Sequence, residues 1–184
     1  GWILGSEKLV SCPVDWYSEV EITTGTPLPA ERPLVRAMVK QVLAHLQLPA
    51  TLSNEIRIDC RSTIPVAKGM ASSTADIAAT AVAASRHLGF TLDDVTLSRL
   101  CVAVEPTDST VFRALTLFDH NTAQTRISCE HVPALDVLLL ESPLTLRTED
   151  YHRLPRRAAL MTSADTLDSA WRKVERACLT NDPA

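Results

Sequence analysis

The chain has 184 residues, 46% of them hydrophobic, 22% charged and 4% aromatic, with a formal net charge of −4. That is enough for one sizeable core or two small ones, built from Leu, Val, Ile and Ala rather than aromatic rings. The acidic balance speaks against a nucleic-acid binder, which carries a basic surplus, and no apolar run reaches the roughly 18 residues a membrane span needs. No signal-peptide pattern opens the chain. The five cysteines (Cys12, Cys60, Cys101, Cys129, Cys178) are scattered, with no Cys-x-x-Cys pair and no zinc-ligand spacing. We expect buried thiols in a reducing compartment, hence a cytoplasmic protein. The chain opens on Gly1 inside a strand-like stretch and closes soon after a helical one, so we expect a fragment.

In chain order, Gly1–Gly5 and Lys8–Val14 read as a hairpin turning at Gly5-Ser6-Glu7. Tyr17–Thr24 alternates polar and apolar and is a third strand. Arg32–Leu46 is an amphipathic helix, with Pro33 in its first turn and Leu34, Met38, Val42 and Leu46 on one face, joined by Leu43. Glu55–Cys60 has strand period. A helix follows from Ser73 to His87, stopped by Gly89. Thr91-Leu92-Asp93-Asp94 resembles a capping box for a helix carrying Val95, Leu97, Leu100, Cys101 and Val104. Val111–Phe118 pairs as a strand with Gln124–Cys129, and Leu135–Glu141 is a short strand of the buried kind. Ser142–Leu154 is a loop. Ala158–Leu179 is helical, broken near Thr162-Ser163, with Leu167, Ala170, Trp171 and Val174 on one face.

The chemistry centres on Ile64 to Asp76, a small-residue loop between a strand and a helix. It places Gly69 and two hydroxyls, Ser72 and Ser73, where the helix begins. A helix start presents unpaired N–H groups and a positive dipole end, which suits an anion and above all phosphate. Ser72-Ser73-Thr74 can equally be plain helix caps. It is not a Walker loop, because Lys68 precedes the glycine. Farther on, Glu105-Pro106-Thr107-Asp108 ends a helix. Phosphoryl transfer needs a phosphate cradle, a carboxylate and hydroxyl for Mg²⁺, and a group that orients or deprotonates the attacking hydroxyl. Glu105 suits the metal and Asp108 the base. The alternative is a helix-terminating turn with two solvated acids.

Pro65-Val66-Ala67-Lys68-Gly69-Met70-Ala71-Ser72-Ser73-Thr74-Ala75 resembles the phosphate-binding motif of the GHMP kinases, Pro-x-x-x-Gly-Leu-Gly-Ser-Ser-Ala, with Met70 for Leu and Ala71 for the second Gly. Trp2–Gly5, Ser11–Asp15, Val104–Asp108 and Leu117–Asn121 extend the resemblance along the chain, toward members that phosphorylate L-threonine. It implies a two-layer α+β N-terminal, ATP-binding domain over residues 1–133 and the start of an α+β, ferredoxin-like C-terminal domain over 134–184. It implies ATP and Mg²⁺ as cofactors and a small-molecule substrate, with neither nucleic acid nor membrane as partner. Lys68, Gly69, Met70, Ala71, Ser72 and Ser73 would hold the triphosphate, Ser73 and Glu105 the metal, and Asp108 with Glu105 would be catalytic. The family's first motif and its glycine-rich third motif are not found, and no glycine follows Gly89, in keeping with truncation at both ends. Three alternatives stand beside this: a family member acting on homoserine or a similar alcohol, a non-catalytic α+β binding domain, and a piece that does not fold stably alone.

Overall fold

The computed structural model describes residues 1–180 other than 125, 130–135, 141, 146 and 147. Its strands are β1 (Trp2–Ile3), β2 (Ser6–Glu7), β3 (Leu9–Val10), β4 (Ser18–Thr24), β5 (Ile56–Ser62), β6 (Leu115–Phe118) and β7 (Arg126–Cys129). The helices are α1 (Pro33–His45), α2 (Ser72–His87), α3 (Asp94–Val104), α4 (Thr148–Arg153), α5 (Arg157–Met161) and α6 (Ala164–Thr180), with 3₁₀ turns at Ala50–Glu55 and Ser109–Val111. They fall into two compact units, the first made of Asp15–Val66 and Met70–Thr107, the second of Gly1–Val14, Ala67–Gly69 and Asp108 onward.

In the first unit β4 and β5 pair antiparallel from Ser18↔Ser62 to Thr24↔Ile56. Along β4, Ser18, Val20 and Ile22 turn inward while Glu19 and Glu21 face water, the alternation of a sheet covered on one side. α2 lies on this ribbon, and α1 and α3 pack on α2 and on each other. The buried stripe of α1 is Val35, Met38, Val39, Val42 and Leu43, the spacing of a core-facing helix. Leu34 and Leu46 lie at its margin, half-buried. α2 buries Ile77, Thr80, Ala81, Ala84 and Ser85, small side chains that let its neighbours approach closely. Ahead of α1, the Glu31 carboxylate accepts from Leu28 N and Ile58 N, each at 3.0 Å, and pairs with Arg36. Arg36 also donates to the carbonyls of Ser53 (2.7 Å) and Ile56 (2.9 Å). One ion pair thus ties the head of α1 to the start of β5.

In the second unit β1 and β2 form a hairpin whose two turn residues, Leu4 (φ 48°) and Gly5 (φ 83°), are both left-handed, as a type I′ turn requires. The strand after it, β3, pairs instead with β6, and β6 pairs with β7, all antiparallel. Ile3, Leu117, Cys129 and Trp171 form a core flanked by Leu115, Ile127, Leu167 and Cys178. Leu167, Trp171 and Cys178 lie on one face of α6 at helical spacing. Lys8 is buried but satisfied, its Nζ donating to Ile3 O (2.8 Å), Leu4 O (3.2 Å) and Ser6 Oγ (2.7 Å). Arg156 grips both oxygens of Glu7, at 2.8 and 3.1 Å.

Several expectations need correction. The first hairpin turns at Leu4-Gly5, so Ser6-Glu7 is strand. The cap of α3 is Asp93, whose carboxylate accepts from Thr96 N at 2.6 Å. The strand expected from Val111 begins at Leu115, because Ser109–Val111 is a 3₁₀ turn. The loop expected over Ser142–Leu154 contains α4. Residues 136–140 are irregular and Leu138 and Leu140 are 84% and 85% exposed. A buried strand needs neighbours on both faces, and among the described residues none pairs with this run. Residues 135 and 141, and the domain boundary expected near 133, lie outside the described residues. Not all cysteines are buried thiols either: Cys129 of β7 and Cys178 of α6 are joined in a disulfide with Cα atoms 5.3 Å apart, and Cys12 is exposed. Of the described helices, none is long and apolar enough to cross a membrane.

Candidate active site

The motif begins where β5 ends. Ile64 is buried and anchors the loop, and positive φ then recurs at every second residue: Ala67 (58°), Gly69 (69°) and Ala71 (56°). Such alternation turns successive N–H groups to one side, the backbone pattern of an anion nest. A left-handed alanine costs about 1–2 kcal/mol, strain of the kind that collects at functional loops. A Cβ added at Gly69 would meet nothing within 4 Å, so the protein leaves open space there.

Ala71, not a serine, is the N-cap of α2, with φ 56° and ψ 28° and no side chain able to cap. Ser72 and Ser73 are therefore the first two residues of the helix, a correction to their reading as caps. The first helical hydrogen bond is Ala75 N to Ala71 O at 2.9 Å. The N–H groups of Ser72 and Ser73 precede it and face out of the positive end of the helix, beside their own hydroxyls.

Glu105 closes α3. Its backbone is extended (φ −157°, ψ 161°), as the following Pro106 favours, and its N–H donates to Cys101 O at 3.1 Å. Thr107 Oγ1 donates to the Glu105 carbonyl at 2.8 Å, stiffening the turn. Its Oε1 is buried. The Cys101 thiol, four residues earlier in α3, is pushed up to about 12, first by burial and then by the Glu105 charge. α2 and α3 pack together across a link of six residues, 88–93, and so short a link returns the second helix antiparallel to the first. α2 (16 residues) rises about 24 Å and α3 (11 residues) about 16 Å, so Glu105 comes back toward the serine end of α2.

Asp108 is half-buried at the head of the 3₁₀ turn Ser109–Val111, which Ser11 N pins by donating to Ser109 Oγ at 2.7 Å. The Lys68 ammonium donates to the carbonyls of Ser142 (2.6 Å) and Leu144 (3.2 Å). Of the residues expected at the site, Met70, Ala71, Ser72, Ser73 and Glu105 fall in the first unit and Lys68, Gly69 and Asp108 in the second. A carboxylate with serine hydroxyls is a donor set for a hard cation. Among the described residues no three His, Cys, Asp or Glu side chains gather as a metal cage.

One group went unnoticed in the sequence. Asp76, buried one turn into α2, accepts from Ser18 Oγ of β4 at 2.6 Å and pairs with Arg32 at the head of α1. A single acid within a run of small apolar residues was the available signal. Its partner lies 44 residues away, beyond any local pattern.

Residues 33–113 match the GHMP kinases N terminal domain. The chain is thus similar to the GHMP kinases over that stretch, and its mixed helices and strands are an α+β arrangement. It is 68% identical over 183 residues to the L-threonine kinase of Salmonella typhimurium, and 66% identical to that of Citrobacter freundii. Each match covers 100% of this chain but 61% and 64% of the relative; the chain spans about three fifths of the length of these curated relatives. A Listeria monocytogenes protein assigned as a homoserine kinase superposes with a TM-score of 0.50 at 14% identity, covering 91% of this chain and 61% of that one. That likeness is one of fold.

Proposed function

We propose that the protein of which this chain forms part transfers the γ-phosphoryl group of ATP to the hydroxyl of L-threonine, giving O-phospho-L-threonine and ADP. The identity of 68% with an L-threonine kinase along the whole chain carries this reading. The uncapped start of α2 and its alternating-φ loop supply the chemistry it needs.

In this proposal Gly69, Met70, Ala71, Ser72 and Ser73 cradle the triphosphate with backbone N–H groups and hydroxyls, and Lys68 adds positive charge beside them. Ser73 and Glu105 hold Mg²⁺, which when bound neutralises phosphate charge. Asp108 orients the threonine hydroxyl and takes its proton as the oxygen attacks. Residues 1–133 form the ATP-binding domain and 134–184 begin the C-terminal one. We place the enzyme in the cytoplasm, its product feeding the aminopropanol arm of the cobalamin nucleotide loop, in the setting of propanediol use. The test is a panel of hydroxylated acceptors, homoserine and serine among them, incubated with labelled ATP, Mg²⁺ and the full-length protein. Preference for threonine supports the proposal; preference for homoserine overturns the substrate while keeping the kinase.

A further inference from the structure

Asp76 is 4% exposed and follows Ser72 by four residues and Ser73 by three. A helical side chain leans toward the N-terminus and covers the turn before its own Cα, so the Asp76 carboxylate lies over the turn that carries both serines. Its oxygens are engaged: Oδ1 by Ser18 Oγ at 2.6 Å, Oδ2 by Arg32 Nη1. Thr80 Oγ1 bonds the Asp76 carbonyl at 2.7 Å. The Arg32 side chain is 45% exposed, and among the described residues Nη1 makes the one hydrogen bond its guanidinium donates. Nε and Nη2 keep their donors for something else.

Stability alone does not explain this pair, since burying an ion pair is roughly neutral against an apolar pair of the same volume. Its position does. A lone carboxylate one turn from a polyphosphate would repel it. Paired with Arg32 the charge is cancelled, and a planar guanidinium is fixed beside the helix start with donors to spare, the geometry that suits phosphate. We propose that Asp76 is a positioning residue for the phosphoryl donor, holding Arg32 so that its uncommitted N–H groups bind the nucleotide's polyphosphate at the start of α2. This rests on the start of α2 being the phosphate site.

The test uses the full-length protein with ATP and L-threonine, comparing Arg32→Lys, Asp76→Asn and the double variant Arg32→Gln/Asp76→Asn, each with its melting temperature. Arg32→Lys keeps the charge that Asp76 needs and so keeps the fold, but loses the planar fork. Its KM for ATP rises about tenfold while kcat and the KM for threonine stay within about twofold. Asp76→Asn raises the KM for ATP several-fold. The double variant, which buries no charge, recovers the melting temperature but not the KM for ATP. The inference is overturned if the KM for ATP is unchanged in all three, if it recovers with the melting temperature in the double variant, or if the KM for threonine moves instead. A wild-type protein that neither binds ATP nor phosphorylates an acceptor overturns the kinase reading itself, a different result from variants that match an active wild type.

Discussion

Ala71 sits in the left-handed region with φ 56° where the GHMP kinase motif it resembles has glycine. Relief of that conformation is worth about 1–2 kcal/mol, and the added freedom of glycine in the unfolded chain costs about 0.5–1 kcal/mol. Ala71→Gly should therefore leave the protein as stable or raise it by about 1 kcal/mol, read by thermal melting. Gly69→Val should act oppositely, placing a branched side chain at φ 69° in the open space beside the loop, and on the proposed function it should lose ATP binding in a calorimetric titration. If the proposed site is right, Ser72→Ala, Ser73→Ala, Glu105→Ala and Asp108→Ala in the full-length protein should each lower kcat by about a hundredfold or more while the circular dichroism spectrum holds. Four near-normal variants would sink the site assignment. The start of α2 was legible because the loop and the helix that follows it are contiguous. The cap at Ala71 was not, because a left-handed alanine leaves no mark in sequence, and the tie from Asp76 to Arg32 joins residues far apart in the chain.

At the scale of elements, α1 and the helix pair α2–α3 were legible from their apolar period, though the buried stripe of α1 centres on Val39 and Leu43, both 0% exposed. Leu43→Ala should cost about 2–5 kcal/mol in denaturant unfolding, as large-to-small changes in full cores do. β3 was harder to place. Leu9 and Val10 pair with Phe118 and Leu117, so the long-range partner β6 claimed a strand that local pattern gave to the hairpin. The apolar run 136–140 has strand composition without a strand's neighbours, and composition cannot supply them. The tie between Cys129 and Cys178 spans 49 residues, so spacing gave no hint of it. Reduction, or Cys129→Ser with Cys178→Ser, should lower stability by about 2–4 kcal/mol through the freedom returned to the unfolded chain, seen as a lower melting temperature in dithiothreitol. Equal melting in both conditions would contradict the disulfide.

At the scale of the molecule, two part-buried, ion-paired acids contribute to the response to pH. Burial works to raise Glu31, but the Arg36 hydrogen bond and the N–H groups of Ile58 and Leu28 outweigh it and hold the group below its ordinary 4.5. Burial likewise opposes, and Arg156 and His120 outweigh it, at Glu7. Both groups bind protons more readily unfolded than folded, so their stabilisation is complete above about pH 4.5 and drains away as pH falls through the lower folded values. Urea unfolding at pH 7, 5 and 3.5 should show a plateau and then a fall, and Glu31→Gln should flatten part of that fall. The resemblance to the GHMP kinases was legible from the contiguous residues 65–75 ahead of and into α2. The acceptor was not, because no local motif names threonine; the proposal of threonine rests on likeness along the chain to two L-threonine kinases. The most direct measurement is therefore product analysis: full-length protein, ATP, Mg²⁺ and equal L-threonine and L-homoserine, resolved by phosphorus NMR and mass spectrometry. O-phospho-L-threonine as the dominant product is the predicted result; phosphohomoserine in its place, or ADP formation with no phosphorylated acceptor, would contradict it.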